Sequence, residues 1–390
     1  MDLTPLDDDR MADPAALDDV LSGDVSGDDV VPDDDLVPDD DLGHGRARRR
    51  TLRWTLGLSV LLGVIVVLGV GIGAVAVAPA VVARIIGHHL VGIPEVVTWT
   101  APEDAIVWDV RLPRVLLGAA VGAGLAVTGA ALQAMVRNML ADPYLLGVTS
   151  GASTGAAAAI LFGVGAALGE HALSASAFLG ALAASVGVYL IARIGGRVTS
   201  LRLLLSGVAV GYALYAATSF LIFAASSAEG ARSVLFWLLG FLGLADWSLA
   251  LAATVGVVAA TAALLTTWGP RLDALAIGDE TAHVLGIDPA RFRVRLLVLV
   301  ALCIGVVVAA SGGIGFVGLV IPHLARRLVG GAHQRVIPVA ALLGATFLTV
   351  ADVVARTALA PRELPIGIIT ALVGAPFLLV LVRRLHAAAT

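Results

Sequence analysis

Lysine is missing from this 390-residue chain: all 25 of its basic residues are arginine. A phosphate-binding P-loop needs a lysine on the nucleotide phosphates, and a retinal pump needs a Schiff-base lysine, so neither chemistry can be built here. If ATP powers transport through this chain, another chain must bind it. Cysteine is nearly absent too. The single Cys303, set in an apolar run, excludes an intramolecular disulfide and a CxxC metal site. Charge is sparse, at 14%, against 58% hydrophobic residues and a mean hydropathy of +0.95. Soluble domains run at about 25% charged and about 45–50% apolar, so the chain reads as an all-α polytopic membrane protein. Acids are scarce within the apolar runs, where Asp352 is the one clear case. The buried Asp, Glu and His relay of a proton-driven transporter is therefore missing.

The acids that exist are concentrated at the start. Residues 1–45 are rich in Asp, Pro and Gly and read as a disordered acidic tail ahead of a transmembrane domain over 46–390. The tail lacks the basic first region and small-residue cleavage site of a signal peptide. Arg46, Arg48, Arg49, Arg50 and Arg53 then precede Trp54 and a run that continues to about Val82. Further runs follow at about 113–136, 144–167, 173–194, 201–225, 248–269, 296–311, 313–329, 336–357 and 365–385, about ten transmembrane helices in all, unless the pair near 310 is one bent unit. The arginine bias puts both termini in the cytoplasm, with Arg193, Arg197, Arg202, Arg271, Arg291, Arg293, Arg295, Arg326, Arg327 and Arg335 in cytoplasmic connections.

Arg84, Arg111, Arg114, Arg232, Arg356 and Arg362 fall outside that pattern. Arg111 and Arg114 bracket Pro113 at a helix start, and Arg356 follows Asp352 by four residues. An i,i+4 ion pair and an acidic partner docked on the outer face are equal readings of Arg356.

Between Arg111 and Gly155 the chain is apolar but broken at Arg137, Asn138, Asp142 and Pro143. Such a break is either an ordinary loop or backbone lining a wet path. The connection from Gly269 to Arg295 is long enough for its own short helix, with Asp279 as cap, Glu280 in the first turn, Val284 and Leu285 as an apolar face, and Gly286 before Asp288 and Pro289 as the stop. It offers a grip for a soluble partner, or else lies on the headgroups with its arginines against anionic lipid. His323 is read as interfacial rather than substrate-facing. Two glycine-rich pieces, GLAVTGAALQ and AASGGIGFVG, hint at a weak internal repeat.

The motifs are specific enough to name a resemblance. RLPR at 111–114, GAALQ..VRN.LADPYLLGV at 129–148 with SGAS at 150–153, LRLLLSGVAVG at 201–211, GDETAHVLGID at 278–288, GFVGLVIPHLARR at 315–327 and ELPIGIITALVGAPF at 363–377 together resemble the permease subunits of type II ABC importers for iron-siderophores, haem and vitamin B12. The resemblance covers roughly residues 54 to 386. It implies a permease dimer, with a second copy or a paralogue, in the cytoplasmic membrane and in contact with lipid. It further implies a pair of ATPase subunits that bind ATP, an extracytoplasmic solute-binding protein above, no cofactor on this chain and no nucleic acid.

Carried over by position, Arg111, Arg114 and Arg356 match the arginines that dock the binding protein, and Thr199 and Ser200 match the cytoplasmic gate. Gly278, Asp279, Glu280, His283, Leu285 and Gly286 match the segment that seats on the ATPase. Gln133, Asn138, Ser150 and Ser153 are the translocation-path candidates. Met139 stands where the family usually has Pro. Iron-siderophore import is the function this implies, with haem or cobalamin as alternatives. An ion-coupled secondary transporter and a structural membrane protein are the readings from other classes.

Overall fold

The structure, a computed structural model, describes residues 44–387 apart from 74, 195 and 197. Expectations for the acidic tail fall on residues outside that range, apart from the 45/46 boundary itself. The described residues are mainly helical, with no strand among them, as an apolar chain in lipid requires.

The first apolar run ends sooner than its hydropathy suggests. Helix α1 spans His44–Gly71, and a separate α2, Pro79–Val91, follows with Pro79 at its first position. Thr100 and Glu103 then form a reciprocal capping box that starts α3, Ala101–Asp104, which continues through a π-helical stretch, Ala105–Arg111, into α4, Leu112–Val136. Val70 of α1, Val82 and Ile85 of α2, Val107 of the π stretch and Val115 of α4 close a small apolar cluster at this end.

The break after α4 is real. Arg137 adopts a left-handed conformation as the C-cap, and Asp142 accepts a hydrogen bond from the Tyr144 amide to start a single 3-10 turn, Pro143–Leu146. Helix α5 runs over Val148–Phe162 and α6 over Ala172–Arg193, so the expected 144–167 span is a shorter helix flanked by 3-10 turns. Thr199 caps α7, Ser200–Phe223, and Ser227 caps the short α8, Ala228–Leu238. Helix α9 covers Leu249–Thr267.

The long connection after α9 holds two helices, α10 (Gly269–Ile277) and α11 (Asp279–Val284). Helix α12 begins at Pro289, seven residues before the expected 296, because Asp288 accepts from the amides of Ala290 and Arg291. Helices α12 (Pro289–Ser311) and α13 (Val317–Val329) are two elements rather than one bent unit. Helices α14 (His333–Thr357) and α15 (Ile366–Ala387) complete the chain. The ten expected spans map onto α1, α4, α5, α6, α7, α9, α12, α13, α14 and α15. Among the described residues, seven helical stretches are long and apolar enough to cross a membrane by themselves, and α5 and α15 are shorter apolar helices.

Helix α4 is the centre. It is buried along most of its length and packs against α9, α12, α13 and α14. Its closest neighbour is α14. A Cβ on Gly122 would collide with the Gly344 carbonyl, and one on Gly344 with the Gly122 carbonyl, so only glycine lets these backbones touch. The two glycine-rich pieces also meet, since Gly129 of α4 lies against the Gly318 backbone of α13. Lipid-facing character appears on α1, where Leu52, Leu56, Val60, Leu61, Val64 and Leu68 are exposed.

Candidate functional sites at the two ends of the helices

One end of the bundle is organised by the arginines that break the charge pattern. Arg111 is 7% exposed, and its guanidinium donates to the carbonyls of Val70 (2.9 Å), Gly71 (3.1 Å) and Val75 (2.6 Å). Arg356, 8% exposed, donates to those of Gly69 (2.9 Å) and Ile72 (3.3 Å). The last carbonyls of a helix have no partner within it and carry its negative dipole end, so two cations capping α1 satisfy both needs.

Arg114 joins them from α4. Its Nε donates to Asp352 Oδ1 at 2.9 Å and its Nη1 to the Glu363 carboxylate at 2.9 and 3.1 Å. Asp352 is 1% exposed, and its other oxygen lies 3.0 Å from Arg356 Nε. The i,i+4 ion pair is thus the arrangement found. All three guanidiniums are bonded to partners within the chain. A buried carboxylate needs such pairing, and this one has two cations.

At the other end, Arg137 closes α4 and lies 3.5 Å from Asp279 of α11. Asp279 does not cap its helix, as the sequence suggested; Gly278 occupies that position. The carboxylate instead accepts two hydrogen bonds from Arg293 of α12, at 2.6 and 2.9 Å. The hydrogen bond from Arg293 is the main reason its pKa lies below the ordinary carboxylate value, with Arg137 adding to it. Arg293 is 1% exposed, so it is not the lipid-facing residue of the sequence reading. Glu280, His283, Leu285 and Gly286 are exposed, and Ile277, Val284 and Leu285 present apolar surface at 72%, 87% and 62% exposure. These exposed apolar groups thus sit on a segment tied to the bundle by the Asp279 ion pairs.

The gate candidates sit at this end as well. Thr199 accepts from the Arg202 amide at 3.4 Å, and Ser200 donates to the Met135 carbonyl of α4 at 3.0 Å, tying the start of α7 to the end of α4.

The path candidates do not converge. Gln133 is 3% exposed; its amide approaches the Ala141, Gly318 and Leu319 carbonyls at 3.4 Å, and its oxygen accepts from Arg326 at 2.6 Å. Asn138 is exposed and accepts from the Leu140 amide, Ser150 is half-buried, and Ser153 donates to the Thr149 carbonyl within α5. None of the four lines the cavity of about 670 Å³ that opens beside Leu117, Trp237, Phe241 and Ala309 at the Arg111 end. His323 is 9% exposed, with its ring against Phe377. Arg293 and Asp273, central to the geometry, were missed as site residues because their partners lie on other helices.

The profile of the FecCD transport family matches residues 60–384. The chain is 44% identical over 284 residues to the cobalamin import permease BtuC of Halobacterium salinarum, covering 72% of this chain and 75% of that protein. It is 41% identical over 290 residues to the hemin transport permease HmuU of Yersinia pestis (73% and 86%), and 39% identical over 286 residues to the Fe(3+)-citrate import permease YfmD of Bacillus subtilis (72% and 82%). Among solved structures, an inward-facing putative metal-chelate type ABC transporter superposes with a TM-score of 0.73 at 33% identity, covering 85% of this chain and 98% of that one.

Proposed function

The chain belongs to the FecCD transport family of ABC importer permeases and is a multi-pass protein of the cytoplasmic membrane; from that premise we propose that it moves an iron-siderophore complex inward. A separate ATPase pair drives the cycle and an extracytoplasmic solute-binding protein supplies the cargo. Family membership removes the ion-coupled alternative. The observation that carries the reading is the α10–α11 segment. It pairs exposed Ile277, Val284 and Leu285 with the hydrogen-bonded pair of half-exposed Asp279 and buried Arg293, so a partner gripping the surface is joined to the bundle. This face is the ATPase seat. That choice puts the Arg137 end and both termini in the cytoplasm and the Arg111 end outside, where the binding protein docks.

The gate is placed at Thr199 and Ser200, and Ser150 and Asn138 remain the path residues open to cargo. The second permease copy or paralogue packs on the face of α7 that exposes Tyr212, Tyr215, Phe220 and Phe223. Relatives named for cobalamin, hemin and Fe(3+)-citrate support a bulky metal chelate, with haem and cobalamin as the alternative cargoes. The deciding experiment is uptake of radiolabelled ferric siderophore, haemin and cobalamin by cells with and without this chain. Loss of ferric siderophore uptake alone is expected. Loss of haemin or cobalamin uptake instead reassigns the cargo, and uptake that persists after ATP depletion overturns the ABC reading.

A further inference from the structure

Besides the packing of α10 on α4 and the Arg137–Asp279 contact, two hydrogen-bonded pairs tie the α10–α11 segment to the bundle. One is the Asp279–Arg293 pair to α12. The other joins α10 to α14, and no sequence motif announced it. Asp273 Oδ1 accepts from the backbone amide of His333 at 3.0 Å and lies 2.5 Å from its ring Nδ1. Helix α14 has no cap of its own, since Ala332 stands at that position, so a residue of α10 caps it from outside. His333 is 4% exposed. Beside this contact, a Cβ on Gly269 would come within 2.6 Å of the Gln334 amide nitrogen, so the start of α10 is pressed onto the start of α14.

What lies beyond the contact gives it meaning. Helix α14 is locked to α4 by the Gly122–Gly344 approach and by Arg114 on Asp352 at its far end. From His333 to Asp352 is 19 residues (352 − 333), about 28 Å of helix at about 1.5 Å per residue. A push on α10 is therefore delivered to the end of a braced pair of helices that reaches the opposite side of the bundle. We propose that Asp273 and His333 form the pin that passes displacement of the α10–α11 segment to the α4–α14 pair, and are positioning residues for the coupling of ATP use to transport. This rests on the reading of α10–α11 as the ATPase seat.

The test uses this chain in its complete complex with ATPase and binding protein in proteoliposomes. The readout is cargo moved per ATP hydrolysed, with radiolabelled ferric siderophore, haemin or cobalamin as probe, whichever the unaltered complex transports. Asp273→Ala and His333→Gln are expected to keep the ATPase bound and hydrolysing while cargo per ATP falls at least about fivefold. Asp273→Asn, which keeps an oxygen acceptor for the amide, retains most of the ratio. An unchanged ratio in either assembled variant overturns the proposal, even where the melting temperature falls, because a merely structural pin affects stability alone. If Asp273→Ala does not assemble, His333→Gln decides, since it leaves the backbone cap in place. Val284→Asp tests the underlying reading separately: loss of the ATPase supports it, and a fully retained ATPase overturns both.

Discussion

Arg114 and Asp352 lie 238 residues apart in the chain and meet at 2.9 Å, the one on α4 and the other on α14. With Arg356 and Glu363 they close the end of the helix pair that forms the centre of the protein. Removing Asp352 leaves two largely buried guanidiniums short of an anion. Asp352→Ala should destabilise the protein by about 3–5 kcal/mol, as breaking a buried pair does. Thermal unfolding in lipid nanodiscs is the check, with Ala in place of the exposed Arg362 as a control that moves stability by no more than about 0.5 kcal/mol.

The inward orientation of Arg111 gives a second prediction. Because its guanidinium holds three carbonyls at and beyond the end of α1, Arg111→Glu should lower the melting temperature of the isolated permease before any binding protein is added. A variant of unchanged stability that nevertheless bound the binding protein more weakly would show that this side chain acts at the surface.

The touching backbones of α4 and α14 leave no space for a methyl group. Gly344→Ala should cost about 1–3 kcal/mol by overpacking, whereas alanine at Gly57, where nothing lies within 4 Å, should not. Paired unfolding curves separate the two.

Asp279 has a pKa lowered chiefly by its hydrogen bond from Arg293, so its contribution to stability has a definite sign. A carboxylate with a depressed folded pKa stabilises fully above its unfolded value, about 3.9, and loses that contribution as pH falls through the folded value. The stability gap between the native chain and Asp279→Asn should therefore be constant from neutral pH down to about pH 5 and close in stronger acid. A gap that closed at neutral or alkaline pH would show that another group governs it.

Much of this was legible in one dimension. Hydropathy located the ten apolar segments because lipid demands continuous apolar helix, and Asp142, Pro143 and Gly286 marked breaks through local backbone chemistry that needs no neighbour. The arginines at 111, 114 and 356 stood out because charge at those positions is costly without a partner. What they bond to was hidden. Their acceptors are carbonyls of α1 and carboxylates on α14 and beyond it, contacts that exist only once the helices are assembled. Asp279 shows the same limit from the other side, since its position invited a capping role and a guanidinium from α12 took the carboxylate.

The sequence by itself determined an all-helical membrane protein without the lysine of a P-loop, because missing lysine and continuous apolar runs are properties of composition. Only the tertiary structure decided which polar groups face inward. Whether a buried charge is paired depends on where separate helices come to lie, and side-chain geometry across those contacts turned Arg114, Asp352, Arg293 and Asp273 from scattered charges into two organised ends.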